Sequence, residues 1–165
     1  RLRIDSPRDL RPTARLVAED TARGVTPDRI AMSLPDTPVL SDLDPDAFGI
    51  LLRNLIENAL KYGASGGRVI VSLIRATSGE GAPEVRVMVR DFGPGIAPEH
   101  LPRLTERFYR VDVGDSRAQG GTGLGLSLVK HILNRHRGRL LIESVPKNGA
   151  TFSACFPQLK APSAN

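Results

Sequence analysis

Apolar and polar positions along this chain switch repeatedly between two periods. In "EVRVMVRD", residues 84–91, Val85, Val87 and Val89 alternate with Arg86, Met88 and Arg90, the period of a strand with one face in a core. In "RNLIENALKYG", residues 53–63, Leu55, Ile56, Ala59 and Leu60 recur along one side of a 3.6-residue turn, which predicts an amphipathic helix from Asp46 to Tyr62, stopped by Gly63. The same reading predicts a first helix over "DLRPTARLVAEDTARG", residues 9–24, with Asp9 as its cap and Gly24 as its stop. Short strands follow at "IAMSL" and "PVLSD". "RVIVSLI" pairs with "EVRVMVRD" across the loop "RATSGEGAP", residues 75–83. A loop-rich middle, residues 92–121, leads to a helix "TGLGLSLVKHILNRH", and the chain closes with the hairpin "RLLIESV" and "ATFSACF", where Asn148-Gly149 marks the turn. Strands and helices in this order predict an α+β two-layer sandwich, a mixed sheet of about five strands with helices on one face.

Composition narrows the function classes. A chain of 165 residues with 40% apolar positions suits one domain with one core, over residues 1–165. No apolar stretch approaches the length that spans a bilayer. A single cysteine, Cys155, cannot form an internal disulfide, which fits a reducing compartment, and its strand-like setting predicts a buried, inert thiol. A net charge of +5 and a pI near 10 invite a nucleic-acid reading. The arginines are nevertheless scattered among acids, and five Phe and two Tyr are few for base stacking, so no nucleic-acid partner is expected. Beginning at Arg1 without a methionine or a signal peptide, the sequence reads as a piece of a longer protein.

Three places carry chemistry. Asn54, Asn58 and Lys61 share one face of the predicted helix although asparagine is a poor helix former, a pattern that a solvated face or a binding face would both give. Asp91 continues the apolar face of Val85, Val87 and Val89 in phase, so a carboxylate occupies a core position and needs donors. Gly93 and Gly95 follow it at once, which suits either a tight turn or close approach of a planar base with an exocyclic amine. "GGTGLGL", residues 120–126, opens a helix, and amides at a helix start attract phosphate. It is not the dinucleotide fingerprint, which requires glycine where Leu126 stands, and no Walker A sequence occurs.

In this order and spacing, over residues 40–157, these segments resemble the catalytic ATP-binding domain of bacterial sensor histidine kinases, in the Bergerat-fold family shared with DNA gyrase, heat-shock chaperones and mismatch-repair ATPases. "NLIENALKYG" looks like the family's N box and "DFGPGIAPE" like its first glycine box. "LTERFYRVD" resembles its F box, "GGTGLGLSLVKHI" its second glycine box, and "NGATFSACFP" its closing segment. The resemblance implies ATP and Mg²⁺ as ligands, with Asn58 on the metal, Lys61 on the phosphates and Tyr62 walling the pocket. It implies further that Asp91 accepts from the adenine amine, that Gly93, Gly95 and Ile96 admit the base, and that Gly121, Thr122, Gly123, Leu124, Gly125 and Leu126 wrap the phosphates. Phe108 would anchor the F box, where Thr105 replaces the family's usual phenylalanine, and Arg110 would meet the γ-phosphate. Residues 1–39 precede the matched region, and residues 158–165 read as a tail.

Related ATPases place a glutamate at the position of Asn54, and an amide cannot take a proton from water. The resemblance therefore implies a site that holds ATP without rapid hydrolysis and passes its γ-phosphate to a histidine. His100, His131 and His136 lack the acceptor pattern, so the acceptor belongs to a separate dimerisation domain of the full-length protein, with a response regulator downstream. By the same resemblance the chain is a cytoplasmic, monomeric piece of a dimeric membrane sensor. A gyrase-type hydrolytic module and a catalytically silent nucleotide-binding domain are the other readings.

Overall fold

The computed structural model describes residues 8–24, 29–63, 67–106 and 125–158. Five strands form the main sheet in the order β2-β4-β5-β7-β6, comprising β2 (Ile30–Ser33), β4 (Val69–Thr77), β5 (Pro83–Asp91), β7 (Ala150–Pro157) and β6 (Arg139–Ser144). β2 runs parallel to β4 and the other pairs are antiparallel, so the sheet is mixed, as the sequence predicts. The predicted "PVLSD" strand shrinks to β3 (Leu40–Ser41), which leaves the main sheet and pairs with β1 (Arg8–Asp9). Asp9 fixes this corner by accepting from the Val39 and Arg11 amides and the Arg11 guanidinium. It thus caps helix α1 (Arg11–Ala22) from one residue outside the position expected of a cap.

Helix α2 (Pro45–Tyr62) begins where Asp44 accepts from the Ala47 amide and Pro45, having no N–H, needs no acceptor. Its apolar stripe, Leu51, Leu52, Leu55, Ile56 and Ala59, is fully buried in one cluster with Val85, Val87 and Val89 of β5. Phe48 of α2 meets Phe156 of β7 edge to face at 6.2 Å and 68°. Helix α3 (Gly125–Arg135) adds Val129, Ile132 and Leu133 to the same core, so helices and sheet form two layers. Among the described residues no helix is long and apolar enough to cross a membrane.

Two elements depart from the sequence reading. The loop between β4 and β5 is only Ser78–Ala82. The Ser78 hydroxyl accepts from the Glu80 and Ala82 amides and closes the turn early, leaving Arg75–Thr77 free to pair. Inside the loop-rich middle, Pro98–Arg103 forms a short 3-10 helix, started by Pro98, whose missing N–H is no loss at a first helical position.

On the face of the sheet away from the helices, Glu84 is 3% exposed and accepts from both Arg139 nitrogens at 2.9 and 3.2 Å and from Arg86 Nε at 2.7 Å. Arg86 and Arg139 stand in register on either side of Cys155, which is buried, as expected of an inert thiol, and whose pKa burial pushes up. The Arg139 hydrogen bonds hold the Glu84 carboxyl below its usual range. A depressed folded-state pKa contributes stability above the unfolded value and loses it as pH falls through the folded one. Because both arginines stay partly hydrated, Glu84→Gln is expected to cost about 1–2 kcal/mol at pH 7, a Tm drop of roughly 3–6 °C. Thermal melts should show the gap to wild type closing only below the ordinary glutamate range. A constant gap down to pH 3 would contradict the ion-pair account.

Candidate functional site

α2 ends beside the end of β5, and the two termini meet through glycines. A Cβ on Gly63 would lie 2.3 Å from Asp91 Cβ, and one on Gly93 would lie 2.6 Å from Gly63 Cα. Gly63 ends α2, as the sequence predicts, but at φ −99°, an ordinary value and not a left-handed one. It is glycine because Asp91 packs against it. The sequence predicts only a helix stop at Gly63, which also packs against Asp91 in the candidate site.

Asp91 is 2% exposed, in the core-facing phase of β5 that its spacing predicts. Its Oδ1 accepts from the Gly93 amide at 3.0 Å. Burial pushes its pKa up, against the smaller opposing influence of the Gly93 and Ala150 amides. A buried carboxylate whose charge is not fully compensated is a strong acceptor for a ligand N–H.

Asn54, Asn58 and Lys61 are all half-buried while Glu57 is exposed, so their shared face is not simply a solvated one. Asn54 Nδ2 donates to the Ile50 carbonyl at 2.7 Å, a local bond to the preceding turn that fixes the side chain. Its Oδ1 lies 3.0 Å from where a Cβ on Gly125 would sit, so α3 starts directly against this face and Leu126 is buried behind it. Asn58 Nδ2 is buried with no hydrogen-bond partner among the described residues. The Lys61 ammonium sits 4.9 Å from the centre of the Tyr62 ring, placing cation and aromatic wall side by side at the helix end.

The first glycine loop is held from the opposite side by the β6–β7 turn. Gly95, at φ +80°, leaves no room for a Cβ, which would meet the Val145 carbonyl at 2.6 Å. Gly93 and Gly95 therefore make room for protein backbone, a packing reason that the sequence reading did not contain. The turn itself differs from the Asn-Gly form. Lys147 (φ 74°) follows Pro146 inside a Val145–Asn148 turn, and Gly149 (φ 86°), not Asn148, takes the second left-handed position. Ile96 is buried and its amide donates to Ser144 Oγ at 2.7 Å.

The structure thus brings together Asn54, Asn58, Lys61, Tyr62, Asp91, Gly93, Gly95, Ile96, Gly125 and Leu126 around the junction of α2, the end of β5 and the start of α3. Phe108, Arg110, Gly121, Thr122, Gly123 and Leu124 lie outside the described residues. Of the three histidines, His136 Nδ1 faces the Ile132 carbonyl at 2.9 Å and His131 is exposed on α3. Among the described residues no group of three or more His, Cys, Asp or Glu is placed to hold a metal ion.

Comparison with known proteins places this geometry. The chain is 48% identical over 103 residues to the phosphate regulon sensor protein PhoR of Pseudomonas aeruginosa, covering 62% of this chain and 22% of that protein. It is 44% identical over 108 residues to the sensor-like histidine kinase SenX3 of Mycobacterium tuberculosis, covering 66% and 25%. It therefore spans a quarter or less of the length of these relatives. Among solved structures, the mycobacterial sensor histidine kinase MprB aligns at TM-score 0.72 and 26% identity, over 97% of this chain and 100% of that one. Full-length ShkA in complex with AMPPNP aligns at 0.73 and 26%, over 98% and 33%. The family model of histidine kinase-, DNA gyrase B-, and HSP90-like ATPases matches residues 43–160, from the entrance of α2 through the last strand. This chain is accordingly a member of that ATPase family, an α+β domain with the family's ATP-binding fold.

Proposed function

We propose that this chain, residues 1–165, is the single catalytic domain of a sensor histidine kinase, which binds Mg²⁺ and ATP and passes the γ-phosphate to a histidine on the dimerisation domain of the same full-length protein. The observation that carries the reading over simple hydrolysis is Asn54. Its amide nitrogen is committed to the Ile50 carbonyl, and an amide oxygen is too weakly basic to activate water. The relatives named as sensor kinases support the same reading.

The residues divide the work by position. Asp91 orients the base, and Lys61, beside Tyr62, supplies a cation at the phosphate end. Asn58 fits a metal site because its carboxamide has a buried polar end that nothing in the described protein satisfies, and rotation about χ2 presents its oxygen there. Mg²⁺ supplies neutralisation of phosphate charge when bound. An imidazole nitrogen of the acceptor domain then bonds to the γ-phosphorus as the bridging oxygen leaves with ADP. This chain contributes positioning and charge, not a nucleophile. The full-length protein is read as a dimeric membrane sensor with this domain in the cytoplasm and a response regulator downstream.

The test incubates the purified chain with γ-labelled ATP, alone and with a helical hairpin domain carrying the acceptor histidine. Slow phosphate release, no labelling of the chain alone and acid-labile labelling of the hairpin are expected. Fast phosphate release without transfer would favour a hydrolytic module. ATP binding with neither reaction would favour a silent regulatory domain.

A further inference from the structure

Ser144, the last residue of β6, lies outside every motif of the sequence reading, yet it joins the first glycine loop to the β6–β7 turn. Its Oγ accepts from the Ile96 amide at 2.7 Å and donates to the Gly149 carbonyl at 3.1 Å. Two residues earlier in the loop, the Pro94 carbonyl accepts from the Lys147 amide at 2.6 Å, so the loop is tied to the turn at both ends of Gly95. Steric fit makes the seam rigid. A Cβ on Gly149 would come within 2.1 Å of the Asp91 carbonyl, and one on Gly95 within 3.1 Å of Ser144 Oγ. The position of the loop following Asp91 is therefore set by the hairpin turn, and Ser144 provides a side-chain tie between the two.

We infer that Ser144 is a positioning residue for the purine end of the site: it acts through Ile96 and the loop at Asp91, and leaves the phosphate end alone. The inference rests on the reading of this site as an ATP site. Ser144→Ala leaves the Ile96 amide without its partner and the Gly149 carbonyl with the Val145 amide alone, and the loop gains freedom that binding must remove. Asn58 and Lys61 are positioned by α2 and do not depend on the tie.

The experiment measures calorimetric affinities of the wild type, Ser144→Ala and Ser144→Thr for ATP, adenosine and inorganic tripolyphosphate, all with Mg²⁺. In the alanine variant ATP and adenosine should each weaken by roughly five- to tenfold while tripolyphosphate stays within about twofold. Threonine, which keeps the hydroxyl, should restore both. Unchanged adenosine and ATP affinity in a folded alanine variant would overturn the inference, and so would an equal loss for tripolyphosphate, the mark of general loosening. Should the alanine variant not fold, hydrogen exchange in the unaltered protein decides: the Ile96 amide should exchange as slowly as the strand amides of β6, and fast exchange overturns the tie. A wild type that binds no adenine compound sinks the ATP reading itself, an outcome distinct from a wild type that binds while the alanine variant binds equally well.

Discussion

Asp91→Asn is expected to raise the Kd for ATP by about 100-fold while the fold is retained. The reason lies in how the carboxylate is already used. Its Oδ1 holds the Gly93 amide, so in the variant the amide oxygen keeps that bond and the NH₂ takes the other position. An acceptor for the adenine amine thereby becomes a donor facing a donor. Guanine presents a carbonyl oxygen at the equivalent ring position, so the variant should also narrow the preference of the wild type for ATP over GTP. Calorimetry with both nucleotides measures this, and equal binding of ATP and GTP by the wild type would remove Asp91 from base recognition.

The same carboxylate predicts opposite pH trends for binding and for stability. Burial raises its pKa in the folded chain, so the folded state takes up a proton more readily than the unfolded one. Its contribution to stability is present below the unfolded pKa and is lost as pH rises through the raised folded value. Affinity runs the other way, because a protonated carboxyl is a poorer acceptor. As pH falls toward the raised pKa, ATP should bind more weakly while the ligand-free domain loses less stability than its other carboxylates dictate. Asp91→Asn, which does not titrate, should lack both trends.

The described part of the candidate site is legible in the sequence where its signals are local. The phase of Asp91 with Val85, Val87 and Val89 follows from strand geometry, and the common face of Asn54, Asn58 and Lys61 follows from helix geometry. What escaped depends on contacts between segments distant in sequence. Gly63 reads as a helix stop, and only the approach of β5 shows that Asp91 fills the space a side chain would need. Gly95 suits a tight turn or access for a ligand, and only the Val145 carbonyl, fifty residues on, gives the packing reason for its missing side chain. Ser144 has no local signature, since a serine ending a strand is common and its partners, Ile96 and Gly149, belong to two different loops. Even the Asn148-Gly149 pair predicts a hairpin but not its form, because Pro146 moves the first left-handed position to Lys147.

Asn58 yields the prediction that ties function to a cost in stability. Its buried Nδ2 finds no partner among the described residues, and asparagine in a helix interior is itself unfavourable. Asn58→Ala removes both penalties, so the ligand-free variant should melt as high as the wild type or roughly 2–4 °C higher. A residue retained only for packing gives the reverse, a loss on truncation. Binding should move the opposite way. ATP affinity in Mg²⁺ is expected to fall by about 30- to 100-fold, and the difference between affinities measured with Mg²⁺ and with a chelator should nearly vanish, since the protein's own hold on the metal is gone. Asn58→Asp separates the metal from the nucleotide. A carboxylate is a stronger oxygen ligand for Mg²⁺ but repels phosphate when the metal is absent, so this variant should bind ATP in Mg²⁺ and lose it in chelator more steeply than the wild type does. Paired melts and titrations of the three proteins measure every one of these quantities. If the alanine variant keeps wild-type metal dependence, the metal is held by other groups and the unsatisfied amide of Asn58 requires a different explanation.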